Sequence, residues 1–153
     1  MPKSEKNENQ QVAMIIKQAL KQSNYKYSEL KPGKFFYLDF QDDENLWQVQ
    51  IILSTSEADT PNRLCLSFQF KDLRVDFERK NSFLEYFNTI NQKVFMGHFF
   101  LSDDFKISFE INVDFTSLTL NTEIIKRWIG LGNSSIRFYY SQIKGLAQRT
   151  KND

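Results

Sequence analysis

Apolar and polar residues alternate without a miss from Phe105 to Phe115. Phe105, Ile107, Phe109, Ile111, Val113 and Phe115 stand against Lys106, Ser108, Glu110, Asn112 and Asp114. A period of two sends successive side chains to opposite sides of a pleated strand. The segment therefore predicts a strand with one apolar and one polar face, as in an antiparallel sheet packed on one side and wet on the other. The same alternation occurs upstream. Leu64, Leu66, Phe68 and Phe70 oppose Cys65, Ser67 and Gln69, while Trp47, Val49, Ile51 and Leu53 share one side of the segment 46–53. From Phe35 to Phe40 every residue but Asp39 is apolar or aromatic, and the polar turn Asp42-Asp43-Glu44-Asn45 joins this strand to the next as a hairpin. Ser54 to Asn62 reads as a polar loop. Leu73, Val75 and Phe77 keep the alternation after Lys71-Asp72, which fits either a continuing strand or a loop entering a helix.

Helical spacing occupies the remainder. Val12, Ile15, Ile16, Ala19 and Leu20 define an amphipathic helix ending near Ser23-Asn24, followed by a turn at Pro32-Gly33. Ser82 with Glu85 forms a capping-box pattern ahead of the stripe Phe83, Leu84, Phe87, Ile90 and Val94. Gly97 ends that stripe, and Phe99 to Leu101 is a short strand before the turn at Ser102-Asp103-Asp104. Asn121 is placed to cap a helix whose buried face is Ile124, Ile125, Trp128 and Ile129, with Glu123 at the positive end of its dipole. Gly130 and Gly132 interrupt it, and Ile136, Tyr139, Tyr140, Ile143 and Leu146 define a last helical part before a polar tail. Residues 1–10 are charged and polar, which predicts a disordered tail. The expected fold is α+β: an antiparallel sheet of about five strands with helices packed on one face, order α-β-β-β-α-β-β-α, in a single domain over 11–148.

Composition narrows the class. A chain of 153 residues suits one domain with a real core. Twenty basic and 19 acidic residues leave a net charge of +1, against the clustered cations of a nucleic-acid binder. The one cysteine, Cys65, excludes an internal disulfide and fits a reducing cytosol. The start, MPKSEKNENQ, lacks the apolar core of a signal peptide, and no apolar run has the length of a membrane span. A cytoplasmic protein with no membrane and no nucleic-acid partner is expected.

Ile90-Asn91 closes an apolar helix, and Gly97, Phe99, Leu101 and Asp103 then follow in a Gly-x-Phe-x-Leu-x-Asp arrangement. After them come the long alternating strand, a helix start from Leu120 to Glu123 and a two-part final helix. This run, Ser82 to Leu146, resembles the YbjN-like family, whose fold is that of type III secretion chaperones. The family is described as chaperone-like or as a regulator of signalling. The resemblance implies a non-enzymatic protein-binding module with an undefined protein partner. It also makes a homodimer possible, since secretion chaperones of this fold are commonly dimeric.

Candidate chemistry adds little to that picture. His98 is the one histidine, and as a metal ligand it has only carboxylates to help it. A nucleophilic Cys65 needs a base, and His98 is the available one. Asp42-Asp43-Glu44 and Asp103-Asp104 fall at expected turns, where Asp is favoured for local hydrogen bonding. Lys71, Arg74, Arg79 and Lys80 form a loose basic group interspersed with Asp72, Asp76 and Glu78. No catalytic residue, metal site or cofactor is implied. The partner-binding candidates are Phe35 and Tyr37. If Phe36, Leu38 and Phe40 face the core, these two emerge among Gln48, Gln50, Ser67, Gln69, Ser108 and Glu110. The competing expectation is that the N-terminal helix or the Tyr25–Tyr27 segment covers them. The alternative function is a small-molecule or lipid-binding module with a Phe-lined cavity between sheet and helices.

Overall fold

Each alternating segment becomes a strand, and the strands pair so that every apolar face points the same way. The computed structural model describes residues 3–43, 45–54, 62–115 and 120–148. Its elements are α1 (Lys3–Gln22), β1 (Ser28–Lys31), β2 (Phe35–Asp42), β3 (Asn45–Ser54), β4 (Asn62–Arg74), α2 (Lys80–Asn91), β5 (His98–Leu101), β6 (Lys106–Phe115) and α3 (Thr122–Gln148). The strands form one antiparallel sheet in the order β1-β2-β3-β4-β6-β5. Residues opposite one another across paired strands share a face. One row therefore runs Leu38, Val49, Phe68, Phe109 and Phe99, and another runs Phe36, Ile51, Leu66 and Ile111. All of these are buried.

The α+β class holds, with one strand more than expected. β1 reads Ser-Glu-Leu-Lys, a short polar edge with no alternation to mark it. Its turn into β2 is held by Gly33 N–H donating to the Glu29 carboxylate at 2.9 Å, and Lys17 of α1 meets the same carboxylate at 3.0 Å. α1 starts at Lys3, within the stretch 1–10 expected as a tail, where Lys, Glu and Gln are good helix formers. Residues 1–2, 44, 55–61 (within the stretch expected as a polar loop), 116–119 and 149–153 lie outside the described residues. The segment 73–77 is divided. β4 continues to Arg74, and a 3₁₀ turn over Phe77–Arg79 then leads into α2. That turn replaces the expected capping box. α2 starts at Lys80, so Ser82 lies inside the helix. Asn121 does cap α3, its side chain accepting from Ile124 N–H at 2.9 Å.

α3 is one continuous helix, and the interruption expected at Gly130 and Gly132 does not occur. Packing decides this. A Cβ on Gly132 would stand 1.9 Å from Cζ of Phe68, so the bare backbone is what lets the ring lie under the helix. Next to it, buried Asn133 accepts a hydrogen bond from the Trp47 indole N–H at 2.9 Å. Arg137, one turn on, lies 5.5 Å from the same indole and pairs with Asp42 at 3.1 Å. Tyr140 packs on Phe70 at 4.9 Å. α3 thus covers the middle of the sheet. α1 covers the β1–β2 end through Val12, Ile16, Ala19 and Leu20. α2 covers β5, where Phe87 stacks on Phe99 at 6.0 Å. The Arg79 guanidinium donates to the Leu146 and Ala147 carbonyls at 3.0 and 2.8 Å, closing the C-terminal end of α3 with a cation.

The motif residues between α2 and β6 also have structural work. The Asn91 side chain donates to the Phe99 carbonyl at 2.9 Å and accepts its N–H at 2.7 Å. It thereby occupies the outward backbone groups of an edge strand that would otherwise offer them to another chain. Gly97 has φ +86°, and a Cβ there would meet the Glu110 carbonyl at 2.6 Å. Phe99 and Leu101 point to the packed side.

Two glycines of α3 should therefore respond with opposite sign. Gly130 has open space around it, so Gly130→Ala should stabilise by about 0.5–1 kcal/mol through helix propensity. Gly132→Ala should cost about 1–3 kcal/mol because Phe68 must move. Asn133→Ala should cost a comparable ~1–3 kcal/mol by leaving the Trp47 N–H unpaired. Urea melts of the three variants check the signs. Equal stabilisation by both alanines would contradict the close approach at Gly132.

Candidate functional site on the open face

The helices lie on the apolar side, so the opposite side of the sheet carries the second set of rows. One row runs Phe35, Ile52, Cys65 and Asn112; the next runs Tyr37, Gln50, Ser67, Glu110 and His98. The third runs Asp39, Gln48, Gln69, Ser108 and Phe100. The middle of this surface is an amide network. Gln50 donates to Gln48 at 3.1 Å and to Gln69 at 3.2 Å, and Gln69 donates back to Gln50 at 3.3 Å. Ser67 and Ser108 are 2% exposed because the longer side chains around them close over the two small hydroxyls. Asp39 receives Gln48 at 3.2 Å and Lys71 at 2.8 Å. The Lys71 ammonium, ahead of the Gln48 amide, holds the Asp39 carboxyl below its ordinary value.

Phe35 and Tyr37 take the positions expected of them, half-buried at the β2 side of this face. The Tyr25–Tyr27 segment does not fold over them. Tyr25 packs edge-on to Phe40 at 5.1 Å and Tyr27 to Phe36 at 5.9 Å, both on the helix-covered side. The rows bring Ile52 beside Phe35, and they place Phe100 at the far edge of the same surface. Strand parity in the sequence carries the signal for both, once the order β4-β6-β5 is known.

Cys65 and His98 share this face without meeting. They lie on strands separated by β6, and strands are about 4.8 Å apart, so their backbones are roughly 10 Å apart or more. Burial, with a smaller contribution from Glu110, pushes the Cys65 thiol up to about 11. A thiolate is what attacks or binds a metal, and this group is a thiol at neutral pH. His98 is exposed on the edge strand, 5.8 Å from the Phe100 ring. Asp43, Asp103 and Asp104 are turn residues, as expected, whereas Asp42 ends β2. Asp43 adopts φ +51° in the β2–β3 turn and Asp104 pairs with Lys106 at 2.9 Å. Among the described residues, no three His, Cys, Asp or Glu side chains converge as a metal site would require.

The profile of the YbjN family, described as "Putative bacterial sensory transduction regulator", matches residues 13–144. The chain belongs to the YbjN family. The motif residues Ile90, Asn91, Gly97, Phe99 and Leu101 fall inside that match, and their contacts are those of the fold. No curated protein matches the chain significantly. Among solved structures, a chain in the "Crystal Structure of the ExsC-ExsE Complex" aligns with a TM-score of 0.53 at 14% identity, over 86% of this chain and 92% of that one. This YbjN chain therefore shares its α+β fold with that chain. Among its described helices, none is long and apolar enough to cross a membrane.

The thiol gives a check on the site's electrostatics. Alkylation of Cys65 by iodoacetamide should be slow at pH 8 and rise as pH approaches the raised value of about 11. A rate that is already maximal near pH 8 would mean an activated thiolate.

Proposed function

We propose that this YbjN protein is a non-enzymatic, cytoplasmic protein-binding module of chaperone-like or regulatory type. Its partner docks on the open face of the sheet around Phe35 and Tyr37. The observation that carries this reading is two aromatic side chains on a face that the helices leave uncovered. Tyr and Phe are enriched in interface cores, whereas the rest of the face is amide and hydroxyl. Family membership and a fold neighbour crystallised as the ExsC–ExsE complex support the same reading. The balance of 20 basic against 19 acidic residues argues for a protein partner over nucleic acid. A homodimer is compatible with docking on this face.

The alternative, a ligand held in a Phe-lined cavity, is less well supported. The interior phenylalanines lie against one another. Phe99 is 4.8 Å from Phe109, Phe68 is 6.1 Å from Phe109, and Phe83 is 5.7 Å from Phe87. Rings in mutual contact occupy the space that a ligand would need.

Phe35→Ser and Tyr37→Ser test the proposal. Each should change stability by no more than about 1 kcal/mol, because both side chains are half-exposed and their backbone bonds persist. Affinity capture from native cytosol, compared with wild type, should then lose the specific partner. Retention of the partner by both folded variants would remove Phe35 and Tyr37 from the interface, and a large fall in Tm would return them to the core.

A further inference from the structure

The character of the open face changes along its strands. Phe35, Ile52 and Tyr37 stand at one end. At the other end the register between β4 and β6 slips. Gln69 pairs with Ser108 but Arg74 pairs with Lys106, so five steps along β4 accompany two along β6. In unbroken alternation Arg74 would share the parity of Phe68 and Phe70 and point into the core. The bulge reverses this. Leu73 and Val75 turn inward, 7% and 4% exposed, and Arg74 emerges directly opposite Lys106 on the open face.

Like charges directly opposite across two strands repel. Lys106 has a partner in Asp104 at 2.9 Å, and nearby Lys71 has one in Asp39 at 2.8 Å. Arg74 has neither an ion pair nor a hydrogen bond among the described residues. Its neighbour Asp72 is also exposed but does not line the hollow described next. Lys71 and Lys106 are thus each paired with a carboxylate, and the Arg74 guanidinium is not. The three cations line a hollow of about 180 Å³ with Gln48, Gln69, Phe70 and Leu73.

We infer that this hollow is an anion subsite, and that it takes the carboxylate of an Asp or Glu in a protein segment lying along the open face. The inference rests on the proposed docking of a protein there. Charge complementarity selects the occupant. The face is apolar at one end and cationic at the other, roughly 20 Å away at about 7 Å per row, with amides between. A segment with apolar residues at one end and a carboxylate at the other matches both ends at once. A guanidinium donates two parallel N–H bonds to a carboxylate, and the added negative charge offsets the Arg74–Lys106 repulsion.

The test is a titration of ¹⁵N-labelled full-length protein with a triglutamate peptide blocked at both ends, beside triglutamine and inorganic phosphate. Triglutamate should shift the backbone amides of Gln69, Lys71, Arg74, Lys106 and Ser108, and triglutamine should not. Arg74→Gln should weaken triglutamate roughly tenfold without lowering Tm, because it removes one of two opposed cations. Phe35→Ser should leave triglutamate binding unchanged, so failure here is separable from failure of the aromatic interface. Absence of shifts, shifts that survive Arg74→Gln, or phosphate binding as tight as triglutamate would each overturn the carboxylate subsite.

Discussion

A buried hydrogen bond from the Trp47 indole to Asn133 joins the middle of the sheet to the middle of α3. An indole N–H inside an apolar core must be paired or it costs about 1–3 kcal/mol. The acceptor sits beside the one glycine whose missing side chain admits the Phe68 ring. These two neighbouring positions set both the height and the rotation of the helix on the sheet. Asn133 demands that α3 come close, and Gly132 allows it. Arg137 and Tyr140 then continue the same line of contact across Trp47 and Phe70.

With α3 seated there, α1 and α2 fill the flanks of the same face, and the opposite face carries none of the described helices. That leaves a polar sheet surface whose groups must satisfy one another. The Gln48–Gln50–Gln69 network and the shielded Ser67 and Ser108 do so. On the β5 edge the Asn91 side chain takes up the N–H and C=O of Phe99. A family whose matching residues hold together an edge and a close chain crossing is defined by its scaffold. What the scaffold leaves uncovered is an amide field with aromatics at one end and cations at the other.

Much of this was legible along the chain. Period-two alternation in 46–53, 64–70 and 106–115 assigned the side chains to the correct faces, and it put Phe35 and Tyr37 opposite Phe36 and Leu38. Where the reading missed, a local rule met a non-local contact. Two glycines in one helix look like a break, since each lowers propensity by about 1 kcal/mol, yet burial against Phe68 and Trp47 outweighs that. Ser82 with Glu85 looks like a helix start, yet the 3₁₀ turn before Lys80 begins the helix earlier. β1 has no apolar alternation because its strand lies at an exposed edge.

The sequence by itself determined the period of each segment, and period alone decides which side chains travel together on one face. Tertiary structure decided what each face meets. Only the strand order brings Lys71, Arg74 and Lys106 to one hollow, and only the slip between β4 and β6 turns Arg74 outward. Only the docking of α3 gives Asn133 its indole. The reason is that alternation is a property of neighbouring residues in the backbone, whereas a bulge, a close approach or a charge pair depends on a partner far away in the chain.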